Sequence, residues 1–162
     1  MEVIEVMQPT IIITPLDPAD KDLILKIARW YFREWNTPID KTVRLLTTYP
    51  NEVVLIQVIL TVEGEVVATG SIRHLPNILN RHGCLSQFGP WLGALYTQAE
   101  YRRQGLGKML LENLEREARK EGLSKIYLYT FTAESLYKRC GWKVITRVTY
   151  KDHDTVVMEK DL

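Results

Sequence analysis

At 162 residues, 46% hydrophobic and 25% charged, the chain has the make-up of a soluble globular protein and the length of a single domain (1–162) with a buried core. Twenty-one Lys and Arg against twenty Asp and Glu leave a formal net charge of +1, so no global field draws it to nucleic acid or to an anionic membrane. It has no bilayer-spanning apolar run, its acidic start (Met1-Glu2-Val3-Ile4-Glu5) is unlike a secretory signal, and Cys84 and Cys140 are too few for a disulfide framework; a reduced, cytoplasmic protein is expected.

Residues 1–9 read as a loosely attached, flexible arm. Thr10-Ile11-Ile12-Ile13 is a short β-rich run that Pro15 ends. Asp17-Pro18 reads as the cap and first residue of a helix whose apolar positions, Leu23, Ile24, Ile27, Ala28 and Tyr31, carry it to about Trp35. Thr37-Pro38 starts a second helix in the same way. Val53 to Val62 is a nearly continuous β-branched run, and Glu63-Gly64 turns it into a returning strand from Glu65 to Ile72. The connection over 75–90 is long enough to suggest a lid, with Asn77, Arg81 and His82 as its polar residues. A strand over Leu92–Thr97 leads through a glycine turn into a helix striped by Leu106, Leu110, Leu114 and Ala118. A buried strand (126–129), a short helix (133–139) stopped by Gly141, and two strands (142–150 and 155–160) follow. The order β-α-α-β-β-β-α-β-α-β-β predicts a mixed α/β fold, a twisted sheet of six or seven strands covered by about four helices.

The turn Arg102-Arg103-Gln104-Gly105-Leu106-Gly107, with Lys108 after it, places free amides and the positive end of a helix dipole beneath an anion, and glycines let that anion approach closely. A pyrophosphate suits it. A Walker loop needs Gly at Arg102 and Ser or Thr at Met109, and the dinucleotide fingerprint needs Gly at Leu110, so both fail. Arg102, Gly105 and Gly107 instead fit a Gln/Arg-x-x-Gly-x-Gly/Ala pattern.

Here the chain resembles the GNAT superfamily of N-acetyltransferases. Leu95-Tyr96-Thr97-Gln98-Ala99-Glu100-Tyr101 and the glycine turn are similar to that family's strand, turn and helix start, and Ala133-Glu134-Ser135-Leu136-Tyr137-Lys138-Arg139-Cys140-Gly141-Trp142 is similar to its stretch ending Leu-Tyr-x-x-x-Gly-Phe. Thr97, Ala99 and Thr130 depart from the family's usual Val, Pro and Asn. The resemblance covers about residues 10–160 and implies acetyl-CoA as co-substrate and acetyl transfer to a primary amine; the histidine spacing predicts no metal, and the unflanked cysteines favour direct attack in a ternary complex.

It also implies roles. Tyr137 would protonate the departing thiolate, as a phenol that is un-ionised at neutral pH is able to do. Leu95 and Thr97 would hold the pantetheine arm by main-chain bonds, with the amide of Leu95 or Tyr96 facing the developing oxyanion. Arg102, Arg103, Gln104, Gly105, Leu106, Gly107 and Lys108 would hold the pyrophosphate, with Tyr96, Thr130 and Tyr137 completing the cofactor site. Trp91-Leu92-Gly93-Ala94-Leu95-Tyr96-Thr97 carries no carboxylate, so Glu34, His74, Tyr96 or a water chain is left as general base. Tyr31, Glu34, Trp35 and Trp91 are the expected acceptor wall, suited to a cationic amine. His74, His82 and His153 lack metal-ligand spacing, and neither Cys is flanked as a nucleophile needs. The acceptor itself stays open between a small amine and a protein N-terminus or lysine, as does a non-catalytic acyl-CoA-binding module; a homodimer is compatible with all three.

Overall fold

A computed structural model describes residues 8–162, so the expected arm lies, apart from Gln8 and Pro9, outside the described residues. In chain order the elements are β1 (Ile11–Pro15), α1 (Lys21–Trp35), α2 (Ile39–Thr47), β2 (Val54–Val62), β3 (Glu65–Arg73), β4 (Trp91–Thr97), α3 (Leu106–Lys120), β5 (Lys125–Thr130), α4 (Glu134–Arg139), β6 (Lys143–Tyr150) and β7 (His153–Asp161). The order is the one expected. The start of α1 differs: Asp17 Oδ1 accepts from the amide of Ala19 in a local turn, and Asp20 is the residue whose side chain caps the helix at Leu23. Asn36, in the left-handed region at φ 56°, closes α1.

The seven strands form one sheet in the order β1-β2-β3-β4-β5-β7-β6. Every neighbouring pair is antiparallel except β4 and β5, which run parallel and pair only at Trp91 and Tyr127. Alternation along the strands divides the core. Val58 and Leu60 face α3, whose Leu106, Leu110, Leu111, Leu114 and Ala118 recur at helical spacing, while Ile59 faces Ile27, Trp30 and Leu46 of α1 and α2. Burying such side chains stabilises the fold by about 1.5–3 kcal/mol each. Among the described residues, no helix is long and apolar enough to cross a membrane.

The 75–90 connection forms two 3-10 turns over 77–80 and 83–87. Ile78 and Leu85 are buried against Trp91, Tyr150 and Val157, and an imidazole nitrogen of His82 lies 2.7 Å from the Thr149 carbonyl oxygen. The connection is therefore packed into the body as a wall, beside the open end of the sheet.

A buried ion pair fixes the end of α4. Glu115 of α3 is 5% exposed, and its carboxylate accepts from Lys160 Nζ at 3.0 Å and from the Trp142 indole at 3.3 Å. Lys160 also donates to the Cys140 carbonyl at 2.8 Å. Removing one member leaves a buried charge without its partner. Glu115→Ala should lower unfolding stability by about 3 kcal/mol in urea denaturation, and a loss below about 0.5 kcal/mol would show that the pair is solvated.

Candidate active site

The site begins with a fault in the ladder between β3 and β4. Thr69 is opposite Tyr96 and Ser71 is opposite Gly93, so Ala94 and Leu95 together face the single residue Gly70. This is a β-bulge, and it turns the backbone there out of the ladder. Ala94 is held at φ 52°, a region a residue with a Cβ adopts only at a cost of about 1 kcal/mol or more. Two hydroxyls secure it: Tyr31 donates to the Ala94 carbonyl and Ser71 to the Gly93 carbonyl, both at 2.9 Å. Behind them, the Gln57 side-chain amide donates to the Tyr31 oxygen at 3.2 Å and to Thr69 Oγ1 at 2.7 Å, and Thr69 donates to the Val58 carbonyl at 2.8 Å. Burial pushes the Tyr31 phenol above its ordinary pKa, with Arg73 acting the other way, so it remains a donor. Gly70 leaves room for the bulge: a Cβ there would lie 2.5 Å from Leu95 Cδ2 and 2.9 Å from Leu114 Cδ1.

Beyond Trp91 the strands β4 and β5 separate, and the gap is a cleft floored by Leu110 and Leu111 of α3 and closed by Leu136, Tyr137 and Cys140. Leu95, Tyr96 and Thr97 form its strand wall, while Gly107 and Lys108 stand at its rim. A second cleft lies across β4. Gly93 and Ala94 are its floor, with Tyr31, Trp35, Arg73, Tyr129 and Tyr150 around them. The bulge is the shared wall, with Leu95 on one side and Ala94 on the other.

The glycine turn has the form an anion needs. Gly105 caps α3 at φ 82°, and Arg103 precedes it at φ 62°. The amides of residues 103–108 have no acceptor among the described residues, and no side chain caps the helix. A Cβ on Gly107 would meet nothing within 4 Å, so the absence of a side chain there serves the open space above it. Free amides at a helix start fit a pyrophosphate. Arg103, Gln104 and Lys108 are exposed around the turn, while Leu106 is buried beneath it. Arg102 is turned back: it donates to the Thr97 carbonyl at 2.7 Å, lies over the Tyr96 ring at 5.5 Å and pairs with Glu34 at 3.7 Å.

Tyr137 faces the first cleft from α4, its ring edge-on to Trp142 at 6.0 Å. Burial raises its phenol to about 12. Thr130 spends its hydroxyl as acceptor for the amides of Thr132 and Ala133, at 3.3 and 3.2 Å, and so shapes the start of α4 without lining the cleft. Glu134 grips Arg147 of β6 at 2.8 Å and Lys138 at 2.8 Å, which lowers its carboxyl to about 2.

The expected acceptor wall is rearranged. Trp91 is fully buried, its indole donating to the Phe88 carbonyl at 3.1 Å and packing on Tyr127 and Tyr129, so it supports the second cleft from within and offers no surface to a ligand. Glu34 lines the first cleft, where Arg102 holds it, and not the second. Tyr31 reaches the second cleft from the core, and Trp35 is 40% exposed at its side. Of the expected bases, His74 lines neither cleft, and Glu34 and Tyr96 stand in the first. Sequence reasoning missed Arg73, Lys41 and Lys151 in the second cleft, because they lie on three separate elements with no shared motif. Among the described residues, no group of three or more His, Cys, Asp or Glu is placed to hold a metal ion.

The family model described as "Acetyltransferase (GNAT) family" matches residues 22–142. Comparison with curated proteins finds no match. Among solved structures, an aminoglycoside 6'-N-acetyltransferase complexed with coenzyme A superimposes with a TM-score of 0.72 at 17% identity, over 93% of this chain and 96% of that one. The ribosomal-protein-S18-alanine N-acetyltransferase from Escherichia coli gives 0.66 at 21% identity, over 94% of each chain. A chain of the NatC complex bound to Gag peptide and CoA gives 0.72 at 18% identity, over 94% of this chain and 98% of that one. At these identities the likeness is one of fold.

Gly105→Ala tests the turn. A Cβ at that φ costs about 1–2 kcal/mol, and relaxing it turns the amides aside. Calorimetric titration with coenzyme A should show a loss of about five- to thirty-fold in affinity with the helix content unchanged; wild-type affinity would show that the turn does not bear the phosphates.

Proposed function

We propose that this chain, which belongs to the acetyltransferase (GNAT) family, transfers an acetyl group to a primary amine by direct attack, with both substrates bound at once on opposite sides of the β4 bulge. As an acyltransferase of that family it uses acetyl-CoA. The observation that carries the proposal is the back-to-back meeting of the two clefts at Ala94–Leu95. An amine in the second cleft and a thioester in the first then come within reach of one another, which supplies much of the rate advantage of a bound pair.

Coenzyme A supplies the acetyl group already activated as a thioester; the reaction forms one C–N bond, breaks one C–S bond and releases a proton from the amine. The free amides of residues 103–108 hold the pyrophosphate, and the walls of Leu95 and Thr97 hold the arm that leads from it. The interrupted ladder at Ala94–Leu95 offers a main-chain N–H to the oxygen that gains charge. Tyr137 stands over the sulfur. With a pKa of about 12 it is a weaker acid than a thiol of about 8.5, so its service is a hydrogen bond that stabilises the departing thiolate, which takes its proton from solvent.

No carboxylate lines the second cleft. The amine proton therefore leaves through water that the open mouth of the cleft admits, and the acceptor reacts as its neutral form. No histidine lines the first cleft to activate Cys140, in keeping with transfer without an acyl-enzyme. The second cleft continues outward past Asn36, Pro38, Asn80 and Arg81, so a peptide amine is a second reading that its length favours.

Tyr137→Phe should lower kcat by about ten- to a hundred-fold while leaving the KM for acetyl-CoA within about two-fold; a loss confined to KM would reassign Tyr137 to binding. The pH profile of kcat/KM should climb with unit slope toward the acceptor's own amine pKa. It should show no fall below about pH 10, because an acid whose pKa is raised to about 12 keeps its proton throughout that range. A descending limb near neutrality would mean that a different enzyme acid is at work.

A further inference from the structure

The acceptor cleft has a pronounced sign. Lys41 of α2, Arg73 of β3 and Lys151 of the β6–β7 turn line it, with no carboxylate among its walls. Its outward continuation adds Arg81 and His82, opposed only by Asp152. Among the described residues, none of Lys41, Arg73, Arg81 and Lys151 pairs with a carboxylate. Among the same residues, unpaired cations such as Arg29, Arg44, Arg116 and Lys143 occur elsewhere too; these four differ in converging on one cleft and its outward continuation.

Arg73 is the most constrained of them. Its Nε donates to Ser71 Oγ at 2.9 Å, and Ser71 in turn holds the Gly93 carbonyl at 2.9 Å, so the guanidinium is aimed from the bulge itself. The remaining guanidinium donors are a planar fork suited to a carboxylate or phosphate. Lys41 is steadied by Asn77 at 3.1 Å, and Lys151 lies over the Tyr150 ring at 5.4 Å. The only acid that the sequence offered to this wall, Glu34, is on the far side of β4 against Arg102.

Building on the acetyl-transfer reading, we propose that the acceptor is an anionic amine: one whose reacting amino group is carried on a molecule that also bears a carboxylate or phosphate, held by Arg73 at the floor of the cleft and by Lys41 and Lys151 at its mouth. Polycationic amines are disfavoured by the same charges. An ammonium group bound near these cations also loses its proton more readily to become the neutral nucleophile, which helps a site without a general base. The shared chemistry is an acid close to an amine, whether in a free amino acid or at an acidic peptide N-terminus.

The test pairs acceptors that differ only in the acid. Phenylalanine is compared with phenethylamine, and the peptide amide Glu-Ala-Ala with Lys-Ala-Ala, in a coenzyme A release assay at low salt. In at least one pair, kcat/KM for the acidic member should exceed that of its partner by about ten- to a hundred-fold. The pair that responds tells whether a free acid or a peptide is the source. Arg73→Gln should raise the KM of the acidic acceptor and leave the KM of acetyl-CoA unchanged, and Arg73→Lys should restore part of the difference. The double variant Lys41→Gln/Lys151→Gln does the same without touching the bulge. A preference for phenethylamine and Lys-Ala-Ala, or a preference for the acids that survives both variants, overturns the proposal while leaving acetyl transfer intact. If no amine turns over although coenzyme A binds, acetyl transfer itself fails. Calorimetry of N-acetylphenylalanine against N-acetylphenethylamine on the coenzyme A-loaded protein then decides the cleft's preference by itself: tighter binding of the acid supports it, and equal or weaker binding overturns it.

Discussion

The site depends on one hydrogen bond, from the Tyr31 hydroxyl to the carbonyl of Ala94. Ala94 sits at φ 52°, which its own backbone resists, and the bulge it belongs to gives the ladder one residue too many. Tyr31 is in the core, 2% exposed, and is itself held by Gln57, which is held by Thr69, which is tied to the Val58 carbonyl of the neighbouring strand. These linked hydrogen bonds hold Tyr31 against Ala94 and so fix the bulge in place. The separation of β4 from β5, the two clefts and their common wall all follow from a strand that is bent at that point.

The two sides of that wall differ in charge and in construction. The cofactor side uses main-chain amides at a helix start and a phenol kept protonated by burial. Of its basic residues, Arg102 pairs with Glu34 and braces Thr97, while Arg103 and Lys108 stand exposed around the turn. The acceptor side uses side chains from three elements, all cationic, with aromatic rings between them. In the proposed complex a pyrophosphate is met by oriented dipoles, which any ligand with that group satisfies. On the proposed reading, the acceptor is met by a pattern of charge that sorts one amine from another.

Much of this was legible from the sequence because its physics is local. The glycine turn declares itself through two glycines and a following apolar stripe; the left-handed conformation that Gly105 takes is an addition from the structure. Tyr137 could be placed by its motif. The order of elements followed from periodicity and from turn residues, down to the Asn36 stop. What was not legible depends on pairing over long distances. The bulge arises from a register between β3 and β4, and no residue of Ala94–Leu95 advertises it. Trp91 looked like a cleft residue because of its place before the strand, but alternation along β4 and the packed 75–90 connection bury it. The aromatic neighbours of Glu34 in the sequence suggest an acceptor role, whereas its position on the last turn of α1 brings it to Arg102. The cluster of Lys41, Arg73 and Lys151 unites residues more than a hundred positions apart.

The central claim is that the Ala94–Leu95 bulge separates a cofactor cleft from an acceptor cleft. An amide-resolved NMR titration tests it most directly. Adding coenzyme A to the isotopically labelled protein should move the amide signals of Leu95 to Thr97 and of Arg103 to Lys108 most, while Lys41, Arg73 and Lys151 stay nearly still. If the largest changes fell on Lys41, Arg73 and Lys151, or if the turn at 103–108 did not respond, the account would be contradicted.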